Sequence, residues 1–254
     1  MKQTLCKFLS ILALVSVSFI STAADFKFYA INSSPAGFKD GTGVKGYYVD
    51  ILKRVGEELG IASPKISLGP YPRLLKALNK NNKGYVLTCL FPSPKFGDKV
   101  VQPSKVGHFT TGIISMKGSP LSWDAIKGKR IATVKGASKV YGQKFHENVE
   151  NKIIKLVSVT DYSQGMKMLK ANRVDGFAGS LGPILKQVKA VGLDIEEPLK
   201  ITDKVSMITV SVAPGTENGE AMVAKISKIV EKMLASGEIQ NIIESYLPEA
   251  VQLR

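Results

Sequence analysis

The residues best placed to do chemistry in this sequence lie where predicted helices begin. Gly136, Ala137 and Ser138 precede a helix predicted to run to Phe145. At that position a serine hydroxyl and the free N–H groups of the first helical turn can bind an anion. The same serine would serve equally well as an ordinary N-cap, so the sequence leaves both roles open.

Motifs for metal binding and catalysis are missing from the sequence. Its only histidines, His108 and His146, are far apart, and neither belongs to a cluster of cysteines or carboxylates with metal-site spacing. There is no Gly-x-Ser-x-Gly nucleophile elbow, no P-loop and no dinucleotide-binding fingerprint. We therefore predict no metal site and no cofactor.

The chain is strongly basic, with a formal net charge of +14. Its lysines are scattered, without a run of five or an interleaved aromatic stripe, so we predict no nucleic-acid binding. Two interpretations remain: a solvated basic surface, or a positive field that steers an anionic solute toward the protein.

The N-terminus has the pattern of a secretory leader. Lys2 and Lys7 precede an apolar run at 8–20, and the small residues of 21–24 follow. The run is short for a membrane span, although an uncleaved anchor is the alternative. We predict a signal peptide at 1–24, a mature chain from Asp25 and a periplasmic location. Cys89 is then the one cysteine of the mature chain, so no internal disulfide is expected.

Two stretches, 73–91 and 164–181, share one plan, in which an amphipathic helix passes a polar corner and enters a small apolar strand. Each is half of a parallel α/β unit, so the pair predicts two similar lobes, although chance would also produce such a pair. Strands at 109–116 and 205–212 bracket the second unit and are predicted to form a two-stranded hinge. The predicted fold class is α/β.

Several segments carry a family resemblance. GYYVDILKRVGEELGI (46–61), LSWDAIKGKRIATVKGAS (121–138) and IVEKMLASGEIQNIIESYLP (229–248) resemble the bacterial extracellular solute-binding proteins of family 3. This resemblance implies a two-lobed type II periplasmic binding protein, with a mostly parallel sheet flanked by helices in each lobe. Lobe 1 would comprise 25–113 and 213–254, and lobe 2 would comprise 114–212.

The resemblance also implies a set of ligand-binding positions. Family members that bind amino acids use an Arg for the carboxylate and an Asp for the ammonium group, but Phe96 and Ser180 stand at those two positions. The usual contacts to an amino acid are therefore missing. The predicted ligand-binding residues are Tyr71, Arg73, Thr88, Cys89, Phe91, Phe96, Val134, Ser138 and Ser180.

Two of these positions have open alternatives. Tyr71 would stack on the solute, or it would simply pack at a strand end. Arg73 would bind a carboxylate or phosphate, or it would be a solvated residue in the first turn of its helix.

The function that follows from these expectations is a monomeric, non-enzymatic receptor. It would close on a small polar solute, amino-acid-like or anionic, and deliver it to an inner-membrane ABC permease. One alternative is a ligand-binding partner of a membrane signalling receptor. A minor alternative is a dehydratase-type enzyme on the same fold.

Overall fold

The computed structural model describes residues 25–41, 43–93 and 95–247, so the predicted leader at 1–24 lies outside the described residues. The strands are β1 Phe26–Ile31, β2 Phe38–Asp40, β3 Gly43–Lys45, β4 Ile66–Gly69, β5 Tyr85–Leu90, β6 Val100–Ile114, β7 Arg130–Val134, β8 Lys155–Val159, β9 Gly176–Ser180 and β10 Leu199–Val212. The helices are α1 Tyr47–Glu58, α2 Tyr71–Asn79, α3 Gln143–Glu150, α4 Tyr162–Lys170, α5 Leu181–Val191, α6 Gly219–Ala235 and α7 Glu238–Tyr246. Within the described ranges, no helix combines the length and apolar character that crossing a membrane requires.

The main sheet has the strand order β4-β1-β5-β10-β6-β9-β7-β8. Its two ends are parallel, with β1 beside β4 and β5 in lobe 1 and β7 beside β8 and β9 in lobe 2. Every residue of β5 and of β9 is buried, as expected for strands covered on both faces. The predicted α/β fold with two lobes is therefore confirmed.

The hinge consists of β6 and β10, which pair antiparallel along most of their length. These two strands join the lobes into one sheet, because β10 also pairs with β5 of lobe 1 and β6 also pairs with β9 of lobe 2. Both strands begin earlier than the sequence predicts. Pro103 cannot donate a hydrogen bond to a neighbouring strand, but it lies opposite a shift in register between Ile208 and Val210 of β10, where a proline is tolerated.

Helix α1 shows how the local sequence directs packing in lobe 1. Val49, Leu52 and Val55 recur at helical spacing and are fully buried. Asp50 lies in the first turn, where the helix dipole favours a carboxylate, and it accepts a hydrogen bond from the Tyr246 hydroxyl at 2.6 Å. This bond ties the end of the chain to α1, so residues from both ends of the chain build one core.

Lobe 2 contains an ion pair between Arg130 and Asp175 that gives a testable pH dependence. Asp175 accepts hydrogen bonds from the Arg130 main-chain nitrogen at 2.7 Å and from its guanidinium at 3.0 and 3.1 Å. The guanidinium holds the pKa of Asp175 below its ordinary value. A carboxylate with a depressed folded-state pKa contributes stability above its ordinary pKa of about 4 and loses it as the pH falls.

We therefore expect Asp175→Asn to lower the free energy of unfolding by about 1–2 kcal/mol at pH 7, since both partners are partly exposed. Urea unfolding measured at pH 7 and again at pH 3 checks this, and the difference from the wild type should shrink at pH 3. The exposed Asp98→Asn is the control. A difference that is the same at both pH values would contradict the prediction.

Candidate functional site

The lobes enclose a cavity of about 60 Å³, here called the central cavity. Lobe 1 contributes Ile31, Ser33, Ala36, Tyr47, Tyr48, Tyr71, Cys89, Leu90 and Phe91. Lobe 2 contributes Val134, Ala137, Val140, Tyr141, Tyr162, Ser180 and Pro183. Both halves of the molecule therefore build one site.

The wall of the central cavity forms where strands end and helices begin. Tyr71 is the first residue of α2 directly beyond β4, and Tyr162 is the first residue of α4 beyond β8. Tyr47 is the first residue of α1 and follows Gly46, which has a φ of 132°. Gly46 could not carry a Cβ, because that atom would lie 2.4 Å from the main-chain oxygen of Ala36. Ligands of parallel α/β sheets bind at such carboxyl ends of strands.

Tyrosine dominates the central cavity, which is lined by five of the eight tyrosines in the chain. Two of their hydroxyls are already bonded within the protein. Tyr48 donates to Ser206 Oγ at 2.7 Å, and Tyr141 accepts from Thr133 Oγ1 at 2.9 Å. These two rings therefore offer carbon surface rather than hydrogen bonds to a bound molecule.

Three other hydroxyls are buried without a hydrogen-bond partner among the described residues. They belong to Ser33, Tyr71 and Thr88, and the first two residues line the central cavity. Ser93 is close enough to Tyr71 to offset part of a rise in its pKa, but no hydrogen bond of normal geometry joins them. A buried polar group left unpaired costs about 1–3 kcal/mol, so these hydroxyls favour a bound molecule that pairs with them.

The central cavity is electrically neutral at physiological pH. Burial raises the pKa of Tyr47, Tyr48 and Tyr141, so their hydroxyls keep their protons. Burial likewise raises the pKa of the Cys89 thiol, which is therefore a small apolar wall group rather than a nucleophile. None of the residues that line the cavity in the described part of the chain carries a charge.

The lobes are in direct contact beside the cavity. A Cβ on Gly136 of lobe 2 would lie 3.2 Å from Pro72 and 3.4 Å from Tyr71 of lobe 1. On another side, Lys186 Nζ of α5 donates to the main-chain oxygen of Tyr246 at the end of α7, at 2.6 Å. The structure therefore shows the two lobes closed on each other.

Five of the predicted ligand-binding residues meet in the central cavity, namely Tyr71, Cys89, Phe91, Val134 and Ser180. Thr88 is fully buried beside Cys89 and is not part of the wall. Binding of a solute by these residues stays a prediction.

The remaining predicted residues lie away from the wall. Ser138 is next to the lining residue Ala137, in a short 3-10 turn, Ala137–Val140, where the sequence predicted an α-helix. The α-helix α3 begins only after Gly142, whose φ of 107° is not helical. Ser138 is therefore not at the N-terminus of an α-helix. Phe96 packs against the second hydrophobic core, outside the cavity wall.

Arg73 is exposed on α2 and faces a wide basin that it shares with Lys27, Lys76 and Lys80. This basin is separate from the central cavity, because the two have no lining residue in common. Binding of a solute by Arg73 stays a prediction, and Arg73 does not line the central cavity.

Sequence reasoning did not select Tyr47, Tyr48, Tyr141 or Tyr162 as site residues. A signal for three of them was present, because Tyr47, Tyr48 and Tyr162 stand at the start of helices that follow strands, as Tyr71 does. Ligands of parallel α/β sheets bind beyond the carboxyl ends of the strands, so residues at such strand-to-helix corners are candidates for the site.

Comparison with known proteins decides the family. The family model for bacterial extracellular solute-binding proteins, family 3, matches residues 28–249. The chain belongs to this family. The resemblance seen in the sequence is thus confirmed over nearly all of the predicted mature chain.

Solved structures share the fold at low sequence identity. A mutant of ArgBP from T. maritima has a TM-score of 0.71 at 17% identity, covering 87% of this chain and 94% of that chain. A histidine kinase sensor domain with similarity to periplasmic binding proteins has a TM-score of 0.70 at 16% identity, covering 87% and 96%.

A third similar structure is the ancestral amino acid-binding protein AncCDT-1, a precursor of cyclohexadienyl dehydratase. It has a TM-score of 0.67 at 14% identity, covering 87% of this chain and 95% of that chain. No match was found among curated proteins. At these identities the likeness shows the fold, and the ligand has to be argued from the site.

Proposed function

We propose that this protein is a non-enzymatic periplasmic receptor that closes on a small solute and delivers it to an ABC importer. The observation that carries the proposal is the central cavity, enclosed by both lobes and containing the unpaired hydroxyls of Ser33 and Tyr71. Family membership and the leader pattern at 1–24 support it. Closure is a hinge motion in which the solute makes contacts that the open form lacks.

The receptor acts as a monomer in this proposal, with lobe boundaries at 25–113 plus 213–254 and at 114–212. Calorimetry of the protein purified from the periplasm, titrated with a metabolite panel, tests it. We expect saturable binding of at least one solute with one site per chain. If no solute binds, the proposal fails.

A second candidate function is a ligand-binding partner of a membrane sensor. The fold shared with a histidine kinase sensor domain favours it, as do Phe96 and Ser180, which by the family resemblance stand where amino-acid binders have Arg and Asp. Reconstitution distinguishes the two roles. Solute-loaded receptor should stimulate the ATPase activity of its permease in the first case, and the kinase activity of a sensor in the second.

A dehydratase activity is the third candidate, supported by the likeness to the precursor of cyclohexadienyl dehydratase. Elimination of water needs a positioned acid or base. The hydroxyls and the thiol that line the central cavity have raised pKa values, which suits them poorly to that role. We therefore place this activity behind the two binding functions.

The bond from Lys186 to Tyr246 gives a prediction about closure. It joins the two lobes at 2.6 Å, and a hinge motion that parts the lobes would break it. We expect Lys186→Met, which keeps the apolar stem, to weaken solute binding about five-fold, because a partly exposed charged hydrogen bond contributes about 1 kcal/mol. Calorimetry measures the change.

The control for this prediction is Lys189→Met, at an exposed position on the same helix. It should leave the affinity unchanged. Equal affinities for the wild type and for Lys186→Met would show that the bond does not hold the lobes together.

A further inference from the structure

We infer that the solute of the central cavity is a compact, uncharged molecule with one hydrogen-bonding head group and an apolar remainder. This inference rests on the proposed receptor function and names the chemical class that the same site takes. It departs from the amino-acid-like or anionic solute that the sequence predicts.

The size of the central cavity sets the first limit. In the closed form it measures about 60 Å³. A water molecule needs about 10–15 Å³ of such space, so the cavity holds roughly four to six groups of that size. A long side chain such as that of arginine exceeds this space, whereas a short-chain amide or alcohol fits.

The charge of the wall sets the second limit. An anion would meet no Lys or Arg there, because none of the described residues that line the cavity is charged and Arg73 lies in the separate basin. Asp161 lines a neighbouring pocket that shares Ser33 and Tyr162 with the central cavity, and its Oδ1 already caps α4 by accepting from the Gln164 main-chain nitrogen at 2.8 Å. Burying an ion without a partner costs far more than one hydrogen bond returns.

A cation would meet the tyrosine rings and the hydroxyl oxygens, but no carboxylate among the described residues that line the cavity. Cation–π contacts, even when they are desolvated, contribute less free energy than burying an unpaired charge costs. The formal net charge of +14 opposes the approach of any cation. A zwitterion has both problems at once, because neither its ammonium group nor its carboxylate would meet an oppositely charged residue in the cavity wall.

The unpaired hydroxyls of the cavity indicate which head group the solute carries. Ser33 Oγ and the Tyr71 hydroxyl are both buried, and a hydroxyl can donate one hydrogen bond and accept others. A carbonyl, hydroxyl or amide on the solute pairs with them without carrying charge. The rings of Tyr48 and Tyr141, whose hydroxyls are bonded elsewhere, cover the apolar remainder.

The test compares molecules of one size and different charge. Butyramide and 1-butanol are neutral, butanoate is an anion, butylammonium is a cation and alanine is a zwitterion, each with about five or six non-hydrogen atoms, which matches the cavity. Calorimetry of the protein purified from the periplasm should show butyramide or 1-butanol binding at least tenfold more tightly than each charged molecule.

The possible results separate this inference from the receptor function itself. If butanoate, butylammonium or alanine binds as tightly as the neutral molecules, the inference is overturned and the receptor function stands. If none of these molecules binds and none of the metabolite panel binds either, both are overturned. If only a charged metabolite from the panel binds, and Ala137→Phe in the cavity wall abolishes that binding, the inference again falls alone.

A pair of variants tests the head-group contact. Tyr71→Phe removes only the unpaired hydroxyl, and we expect it to weaken butyramide binding about five- to tenfold. Tyr29→Phe removes a hydroxyl on β1 outside the central cavity and should leave binding unchanged. Thermal unfolding of both variants verifies that they are folded. Equal butyramide affinity in Tyr71→Phe and the wild type would overturn the assigned contact.

Discussion

Ala137→Phe should weaken the binding of any solute that the wild type holds between its lobes by at least about 100-fold. Ala137 is buried and lines the central cavity from lobe 2. A phenyl ring has six carbon atoms, about as many groups as the cavity of about 60 Å³ holds, so it would fill the space that the solute needs. Forcing both into the cavity costs about 3 kcal/mol or more, at the upper end of the cost of overpacking, which corresponds to a loss of this size. Calorimetry with the best solute of the metabolite panel measures it.

The control for Ala137→Phe is Ala190→Phe, at an exposed position near the end of α5. This variant adds the same ring to the same lobe and should bind as the wild type does. Because the new ring of Ala137→Phe lies in a space between lobes that can separate, its thermal unfolding should stay close to that of the wild type. Retained binding in Ala137→Phe would mean that the solute binds elsewhere.

Gly165→Ala should lower the free energy of unfolding by about 2–3 kcal/mol. Gly165 lies on the buried face of α4, and a Cβ there would be 2.0 Å from Cε2 and 2.3 Å from Cδ2 of Phe177. Phe177 is fully buried in β9, so neither its ring nor the helix can move freely. The clash outweighs the gain of about 1 kcal/mol that alanine normally brings to a helix. Urea unfolding measures the loss.

Two further variants show whether the contact with Phe177 is the cause. Gly41→Ala, at a glycine with no atom within 4 Å of the new Cβ, should change stability by less than about 0.5 kcal/mol. The double variant Gly165→Ala with Phe177→Leu should lose less than the sum of its single variants, because the smaller side chain leaves room for the Cβ. Additive losses would place the strain elsewhere.

Most of the fold is readable in the sequence. The periodicity of Val49, Leu52 and Val55 predicts α1, and the paired helix–strand units predict two lobes. The length of the hinge strands could not be predicted from the sequence, because Pro103 and the polar residues around it disfavour a strand. That segment is a strand because β10 provides a partner along most of its length, which is a tertiary effect.

The candidate site is readable only in part. Tyr71, Cys89 and Ser180 were placed by their position in the family motifs, and they do line the central cavity. Tyr141 follows a 3-10 turn that the sequence does not distinguish from an α-helix, so its place in the wall could not be deduced. For Arg73 the sequence left two roles open, because a first-turn side chain can face the cleft or the solvent, and the packing of α2 places it in the separate basin.

The central claim is that a solute binds between the lobes, against the tyrosine-lined wall. Its most direct test is a crystal structure of the protein with the tightest solute of the calorimetric panel. The account predicts one molecule of that solute in the central cavity, within hydrogen-bond distance of the Tyr71 hydroxyl and in contact with the ring of Tyr141. A solute bound on an outer face, with the central cavity empty and the lobes closed, would contradict it.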